Sequence, residues 1–382
     1  MKLIYNAKVI LADRIINNGA VLFSNKIEKI YSIPEKKNKD LELIDAKGAY
    51  LSPGFIDVHI HGFAGSDTME GTRESLENMS RGLVKKGVTS FLPTTMTMES
   101  SKIKKAFTNI KRMRDEGIKG ARILGAHMEG PFINAEYKGA QSVDNIKNAD
   151  LDLISDYYDL IKIVTIAPEI DGAKEFIKEI TAKGIVVATA HTAATYEKIK
   201  EAEGWGLTHV SHLFNAMTSL HHRRPGVVGA ALTSDKLSTE IIADYIHIHP
   251  AVLKLLTQTK DSSKIILVTD AMEAAGLEDG EYSLGGQKVY VKNGEARLED
   301  GTIAGSVLTM DKAVKNMLNA TNLAVNEVIN MATINPAKKL NLDHKIGSIK
   351  EGLRADLILL NKNFEVERVF VNGKVKRGDF YL

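Results

Sequence analysis

The sequence predicts an α/β fold: a TIM-like (β/α)8 barrel with a small β-sandwich domain built from both chain termini. Three observations carry this prediction. Eight apolar, β-branched runs recur between residues 51 and 335, and helix-like amphipathic segments separate most of them. The two ends of the chain instead read as short alternating strands and tight turns. Five of the eight runs end in a histidine, glutamate or aspartate, and barrel active sites are built at strand ends.

In chain order, Val21-Leu22-Phe23 and Lys26 to Ile30 alternate with a period near two, and Asn17-Asn18-Gly19 reads as a turn. At the other end, 355–360 and 366–371 are strand-like, and Asn372-Gly373 is a hairpin signal. Residues 1–50 and 336–382 are therefore expected to form one small β domain, with 51–335 as the barrel. The barrel strand candidates are 54–60, 88–94, 123–129, 161–167, 185–191, 208–213, 239–245 and 264–270. Helix candidates include 72–86, 100–116 and 171–183. A Gly-rich, hairpin-like stretch at about 277–304 reads as an insertion after the eighth strand. A doubly wound sheet is the rival architecture, but no Gly-x-Gly-x-x-Gly follows a strand.

With 382 residues, the chain fits one such barrel plus an accessory domain. Its 44% hydrophobic and 26% charged residues are ordinary for a globular protein with a large core. A net charge of +2 points to no nucleic acid or membrane partner. The chain has no cysteine, which removes disulfides, thiolate ligands and Cys nucleophiles. Asn6, Lys8 and Asp13 interrupt the first apolar run too early for a signal peptide. No stretch approaches the roughly 20 apolar residues of a membrane span. The expected compartment is the cytoplasm.

The strand ends carry the chemistry. His59 and His61 alternate on the first run and point the same way. His127-Met128-Glu129-Gly130-Pro131 closes the third, His191 the fifth, His212 the sixth and Asp270 the eighth. A lone strand-end histidine or aspartate is more often a cap or a satisfied partner, but five in barrel order argue jointly for a site. The donors are nitrogen and oxygen with no sulfur, which suits a hard or borderline divalent cation. Glu129, His191 and His212 give three ligands and leave room for water, the pattern of a catalytic site. His59 and His61 are expected to hold a second ion bridged by Glu129, making two per subunit. Asp270 is then free to take a proton from water that the metal has acidified toward pKa ~7. His127 has the parity of Glu129 and reads as support for the ligands. His209 has opposite parity to His212 and is expected to pack outward. His221, His222, His249 and His344 read as loop or surface residues, and Trp205 as packing.

These residues resemble the amidohydrolase superfamily, as does the closing segment Ile346-Gly347-Ser348-Ile349-Lys350-Glu351-Gly352-Leu353-Arg354-Ala355-Asp356-Leu357. Four further motifs resemble the N-acetylglucosamine-6-phosphate deacetylase family: His127-x-Glu129-Gly130-Pro131-Phe132, Ser211-His212-Leu213-Phe214-Asn215-Ala216-Met217, Arg223-Arg224-Pro225-Gly226, and Thr302-Ile303-Ala304-Gly305-Ser306. The resemblance implies deacetylation of N-acetylglucosamine 6-phosphate, in amino-sugar catabolism and cell-wall recycling. Asp270 would be the catalytic acid–base and Glu129, His191 and His212 the main ligands. Zn, Fe, Mn and Co all accept that donor set. The resemblance further implies substrate contacts at Ala140, Gln141, Asn215, Ala216, Arg223, His247, Ile303, Ala304 and Gly305. It also implies a homodimer in which Arg223 reaches the neighbouring subunit's site. Two departures stand out: Tyr245 replaces a small residue before His247, and Gln141 stands where some relatives have His. An amidohydrolase acting on a cyclic amide or N-acyl amino acid is the alternative. Many of those bridge two metals with a carboxylated lysine at the end of strand four, and here Lys162 lies at its beginning. A non-enzymatic relative would have lost ligands that this chain keeps.

Overall fold

The computed structural model describes residues 1–32 and 41–377; the parts of the terminal β segments at 33–40 and 378–382 lie outside the described residues. Strands and helices alternate through the middle of the chain in a mixed α/β fold. In chain order the parallel strands are Phe55–Ile60, Val88–Pro93, Arg122–Ile123 with Ala126–Glu129, Ile161–Thr165, Val186–Thr189, Leu207–Val210, Ser238–Ile241 and Ile265–Leu267. They fall into two sheets. One pairs Arg122–Ile123, Val88–Pro93 and Phe55–Ile60; the other runs in sequence from Ala126–Glu129 to Ile265–Leu267. The third expected strand is thus split: its first piece pairs with the second strand and its second piece with the fourth. A parallel bridge between Thr94 and His127 joins the sheets on one side. On the other, Asp270 N–H donates to His59 O at 2.9 Å and His61 N–H to Ala271 O at 2.9 Å.

Amphipathic helices cover the outside. Arg73–Val84 buries Leu76, Met79 and Leu83 on one face, and the Thr72 side chain caps it by accepting from the Ser75 N–H, a cap worth ~1 kcal/mol. Ser100–Glu116 buries Ile103, Phe107, Ile110 and Met113 with the same period. Short 3-10 turns, not an α-helix, connect the third and fourth strands. After the eighth strand comes a three-stranded antiparallel sheet of Gly280–Leu284, Gln287–Lys292 and Glu295–Arg297. The helix Met310–Ala320 follows it.

The two ends of the chain share one eight-stranded sheet. Its order is Lys374–Arg377, Val366–Val371, Leu357–Leu360, Tyr50–Pro53, Lys2–Ile10, Ile15–Phe23 and Ile27–Tyr31, with Glu42–Asp45 also paired to Lys2–Ile10. It owns a separate core that includes Ile4, Val21, Phe23, Leu51, Leu357 and Phe370. Phe23 and Phe370 meet edge-on, with ring centroids 5.3 Å apart. One expectation is corrected here. Asn17-Asn18-Gly19 is no turn; it lies inside Ile15–Phe23, where Asn18 takes φ 56° and the register shifts opposite Ala7. The Asn-Gly pair builds a bulge, and the chain reverses earlier, where Leu11 N–H donates to Arg14 O. Asn372 and Gly373, with φ 53° and 73°, do turn the hairpin expected of them.

A single residue, Gly54, separates this sheet from the first parallel strand. A Cβ there would lie 2.2 Å from Thr89 Oγ1, so only glycine lets the two layers meet. Arg122 clamps the same junction through Asp356 at 2.9 Å, and Asp356 also accepts from the Asn372 N–H at 2.7 Å.

Candidate metal-binding active site

Two backbone devices bring the site together. His59 lies on the strand Phe55–Ile60 and His61 just beyond it; the pairing with Val88–Pro93 shifts register between Asp57 and Ile60, yet both imidazoles turn inward on Glu129. His191, His212 and Asp270 come two or three residues after their strands end, each in left-handed backbone, with φ 47°, 28° and 49°. Non-glycine residues hold that conformation at a cost of about 1–3 kcal/mol each, and only where the surroundings impose it. The twist turns each side chain over the strand ends. Gly62 completes the first device: a Cβ there would lie 2.6 Å from Glu273 N, blocking the loop that supplies Asp270.

The four imidazoles converge on Glu129, and Asp270 joins them through His61 and His59. Glu129 Oε1 lies 2.9 Å from His212 Nε2, 3.3 Å from His191 Nε2 and 3.3 Å from His59 Nε2; Oε2 lies 3.4 Å from His61 Nε2. Asp270 Oδ1 lies 3.2 Å from His61 Nε2 and 3.6 Å from His59 Nε2. The far nitrogens are anchored differently. His59 Nδ1 meets the Glu240 carboxylate at 2.7 Å, whereas His191 and His212 donate from Nδ1 to the carbonyls of Tyr137 and Asn215, at 2.9 and 3.2 Å.

Burial alone would push the Glu129 carboxyl up; the imidazoles of His191 and His59 outweigh it and hold it well below the usual range. Asp270 follows the same pattern, with His59 and His61 overcoming its burial. Burial disfavours the imidazolium of His59, yet Glu240, Glu129 and Asp270 hold its pKa well above the ordinary value. His61, also buried, is raised to about 9 by Asp270 and Glu129. The cluster therefore demands positive charge at its centre, which protons or a divalent cation supply. The donor set fits a cation. His59 Nε2 is buried with no hydrogen-bond partner and faces two carboxylates. Ligand atoms of His59, Glu129 and His212 lie within 4.8 Å of one another, as do those of His59, His61 and Asp270.

A cavity of about 370 Å3 opens over the cluster. Glu129, His191, His212, His61 and Asp270 line it, together with Ala140, Gln141, Asn215, Ala216, His247, Ile303 and Gly305. His59 stands behind its wall, fully buried. Three expectations are corrected. Ala304 is fully buried and does not reach the cavity; its N–H donates to Ala296 O. Gln141 does more than face the cavity. Its Oε1 takes the Thr97 N–H at 2.6 Å, which leaves Nε2 to donate to Glu129 Oε2 at 2.7 Å. His209 packs inward, with Nε2 3.0 Å from Glu240 Oε1. Parity counting fails there because left-handed His212 no longer follows strand alternation.

Arg223 lies outside the cavity, exposed, against His222. It lines a neighbouring cleft with Arg224, Tyr196 and Tyr137, and Tyr137 borders both spaces. Tyr245 takes φ 69°, and its hydroxyl donates to Asn316 O. Asp244 then takes both the N–H and Nδ1 of His247, at 2.8 and 2.6 Å.

Sequence reasoning missed two buried acids, Glu240 and Asp57. Asp57 Oδ2 accepts from Thr269 Oγ1 at 2.7 Å, and burial pushes its pKa up to about 7 against that bond. Extending the His59/His61 alternation one step back would have found it. Glu240 carries only a weak signal, a lone acid in an apolar strand. His127 packs its ring 4.5 Å from His59 and bonds Val58 O and Thr165 Oγ1.

The model of the amidohydrolase family matches residues 50–376. The N-acetylglucosamine-6-phosphate deacetylase of Bacillus subtilis (strain 168) is 38% identical over 381 residues, covering 98% of this chain and 96% of that protein. The N-acetylgalactosamine-6-phosphate deacetylase of Escherichia coli O157:H7 is 37% identical, covering 85% and 87%. The crystal structure of N-acetylglucosamine-6-phosphate deacetylase from Pasteurella multocida superimposes with a TM-score of 0.94 at 32% identity, covering 99% of this chain and all of that one. The chain belongs to the amidohydrolase family.

Proposed function

We propose that this chain hydrolyses the acetyl amide of N-acetyl-D-glucosamine 6-phosphate, giving D-glucosamine 6-phosphate and acetate. The observation that carries it is the convergence of His59, His61, His191 and His212 on Glu129 beneath the cavity, with Asp270 set against His61 and His59. Glu129, His191 and His212 would hold one divalent cation, and His59, His61 and Glu129 a second; Zn, Fe, Mn and Co all suit these donors. A bound cation supplies Lewis acidity toward the acetyl carbonyl and acidifies water.

Asp270 does the proton work. Its carboxyl is held ionised, takes a proton from the attacking water and delivers it to the leaving amine. Its N–H is fixed on His59 O and its carbonyl accepts from the Ser306 N–H at 2.8 Å, so the carboxylate holds its aim. Met96 and Leu284 give the cavity an apolar wall suited to the acetyl methyl. His247, anchored by Asp244, serves the polar end of the sugar phosphate. Arg223 offers a guanidinium fork for phosphate. Its place outside its own chain's cavity supports a homodimer in which it enters the neighbouring site.

The same reading treats the two parallel sheets as one closed (β/α)8 barrel over 51–335, supported by the bridge at one seam and the backbone hydrogen bonds at the other. The described parts of the terminal segments 1–50 and 336–382 then form a β-sandwich folded over its own core. Among the described residues no helix is long and apolar enough to cross a membrane; a cytoplasmic reaction is our reading of a cysteine-free chain. The deciding assay is acetate release from N-acetylglucosamine 6-phosphate by purified, metal-loaded protein. The galactosamine epimer, run alongside, defines specificity. No release from either, with turnover of a cyclic amide, would overturn the reading.

A further inference from the structure

Glu240 is the least expected member of the cluster. It sits in the middle of the seventh parallel strand, Ser238–Ile241, with its side chain fully buried. A carboxylate so placed loses several kcal/mol of hydration unless close partners replace it. Here the side-chain partners are imidazoles. Oε2 meets His59 Nδ1 at 2.7 Å and Oε1 meets His209 Nε2 at 3.0 Å. The His212 N–H reaches Oε2 at a longer 3.3 Å. His209 is held in turn by Ser238, whose Oγ lies 2.8 Å from Nδ1. This chain of contacts fixes the carboxylate plane of Glu240 from behind and leaves Oε2 for His59.

The consequence falls on the other side of the His59 ring. An imidazole that donates from Nδ1 presents a lone pair at Nε2. His59 Nε2 is a buried nitrogen with no hydrogen-bond partner, aimed at Glu129 and Asp270. The other histidines of the cluster lack such a carboxylate. His191 and His212 lean on neutral carbonyls, and His61 Nδ1 has no hydrogen-bond partner. A carboxylate behind a ligand histidine fixes its tautomer and raises its basicity; losing it typically costs 10–100-fold in metal affinity.

We propose that Glu240 is a positioning residue that fixes His59 in the Nδ1–H form and thereby sets the affinity of the second cation, the one assigned to His59, His61 and Glu129. The inference rests on the two-cation reading above. It is tested by titrating chelator-stripped full-length protein with Co2+, following the visible spectrum and the equivalents bound at equilibrium. Wild type should take two equivalents. Glu240→Gln, close in shape, should weaken the second by 10–100-fold and the first by less than about threefold. Glu240→Leu should lose the second equivalent and its spectral contribution altogether. If the leucine variant does not fold, the glutamine variant carries the test alone. An unchanged second equivalent in a folded variant would overturn the proposal, as would equal weakening of both equivalents, which marks general packing damage. A wild type that takes fewer than two equivalents would instead overturn the two-cation reading.

Discussion

The cluster is built from two kinds of backbone, and they do different work. His59 and His61 keep backbone angles outside the left-handed region, on and just past a strand whose ladder shifts register beside them, and their direction costs little. His191, His212 and Asp270 come from left-handed residues past the strand ends, where direction is bought with strain. The regular half has a buried carboxylate behind it, Glu240; the strained half leans on main-chain carbonyls. The half that strain aims over the strand ends includes Asp270, the proposed base, which lines the cavity. The half that alternation aims is sunk deeper, and its work is to hold charge.

If that division is right, the largest effect belongs to the strained half. Asp270→Asn should keep its metal and lose turnover by about 10^2–10^4-fold, the range for a general base; steady-state rates with parallel metal analysis read both quantities. Full activity would remove Asp270 from the proton path. Next comes the regular half. Wild type should hold two ions per chain, and a His59→Asn/His61→Asn double variant one, with residual activity; one ion in a saturated, active wild type would assign the pair to substrate or structure. Third is the pH response of metal-free protein. The folded pKa of His61, about 9, lies above its unfolded value of about 6.5. Its stabilising contribution is therefore complete below pH 6.5 and lost as pH climbs through 9. Urea midpoints should fall across that window, and His61→Asn should flatten the fall. The smallest effect probes the backbone itself. Ala216 holds φ 51° beside the cavity, and Ala216→Gly should be neutral or stabilising by up to ~1 kcal/mol. Ala188→Gly, buried in the regular fifth strand, should lose ~1–2 kcal/mol. Denaturant unfolding of the two variants gives the comparison directly, and equal losses would dismiss the strain argument.

The same division explains what could be read in advance. Alternation made His59 and His61 legible, and recurrence at strand ends made Glu129, His191, His212 and Asp270 legible as a set. Parity misplaced His209, because counting back from His212 crosses a left-handed residue that resets the side-chain direction. Glu240 stayed hidden because its partner, His59, lies 181 positions away, and no local pattern couples the two. Asn18-Gly19 shows the reverse failure. Its preference for left-handed backbone was real, but a bulge satisfies that preference as well as a turn does. Gln141 was readable as a cavity residue; its grip on Glu129 depends on the Thr97 N–H, 44 positions away.

The sheet shared by both ends of the chain also sets a timetable for synthesis. Tyr50–Pro53 pairs on one side with Lys2–Ile10 and on the other with Leu357–Leu360, where Pro53 meets Leu357. At roughly 5–20 residues per second, the ribosome needs about 15–60 s to make the intervening stretch. During that interval Leu51 and Phe23 wait without Leu357 and Phe370, with an unpaired strand edge open to other chains. A segment made late thus seals one made early, and a nascent chain stalled within the parallel-strand region would carry a sticky, half-finished sheet.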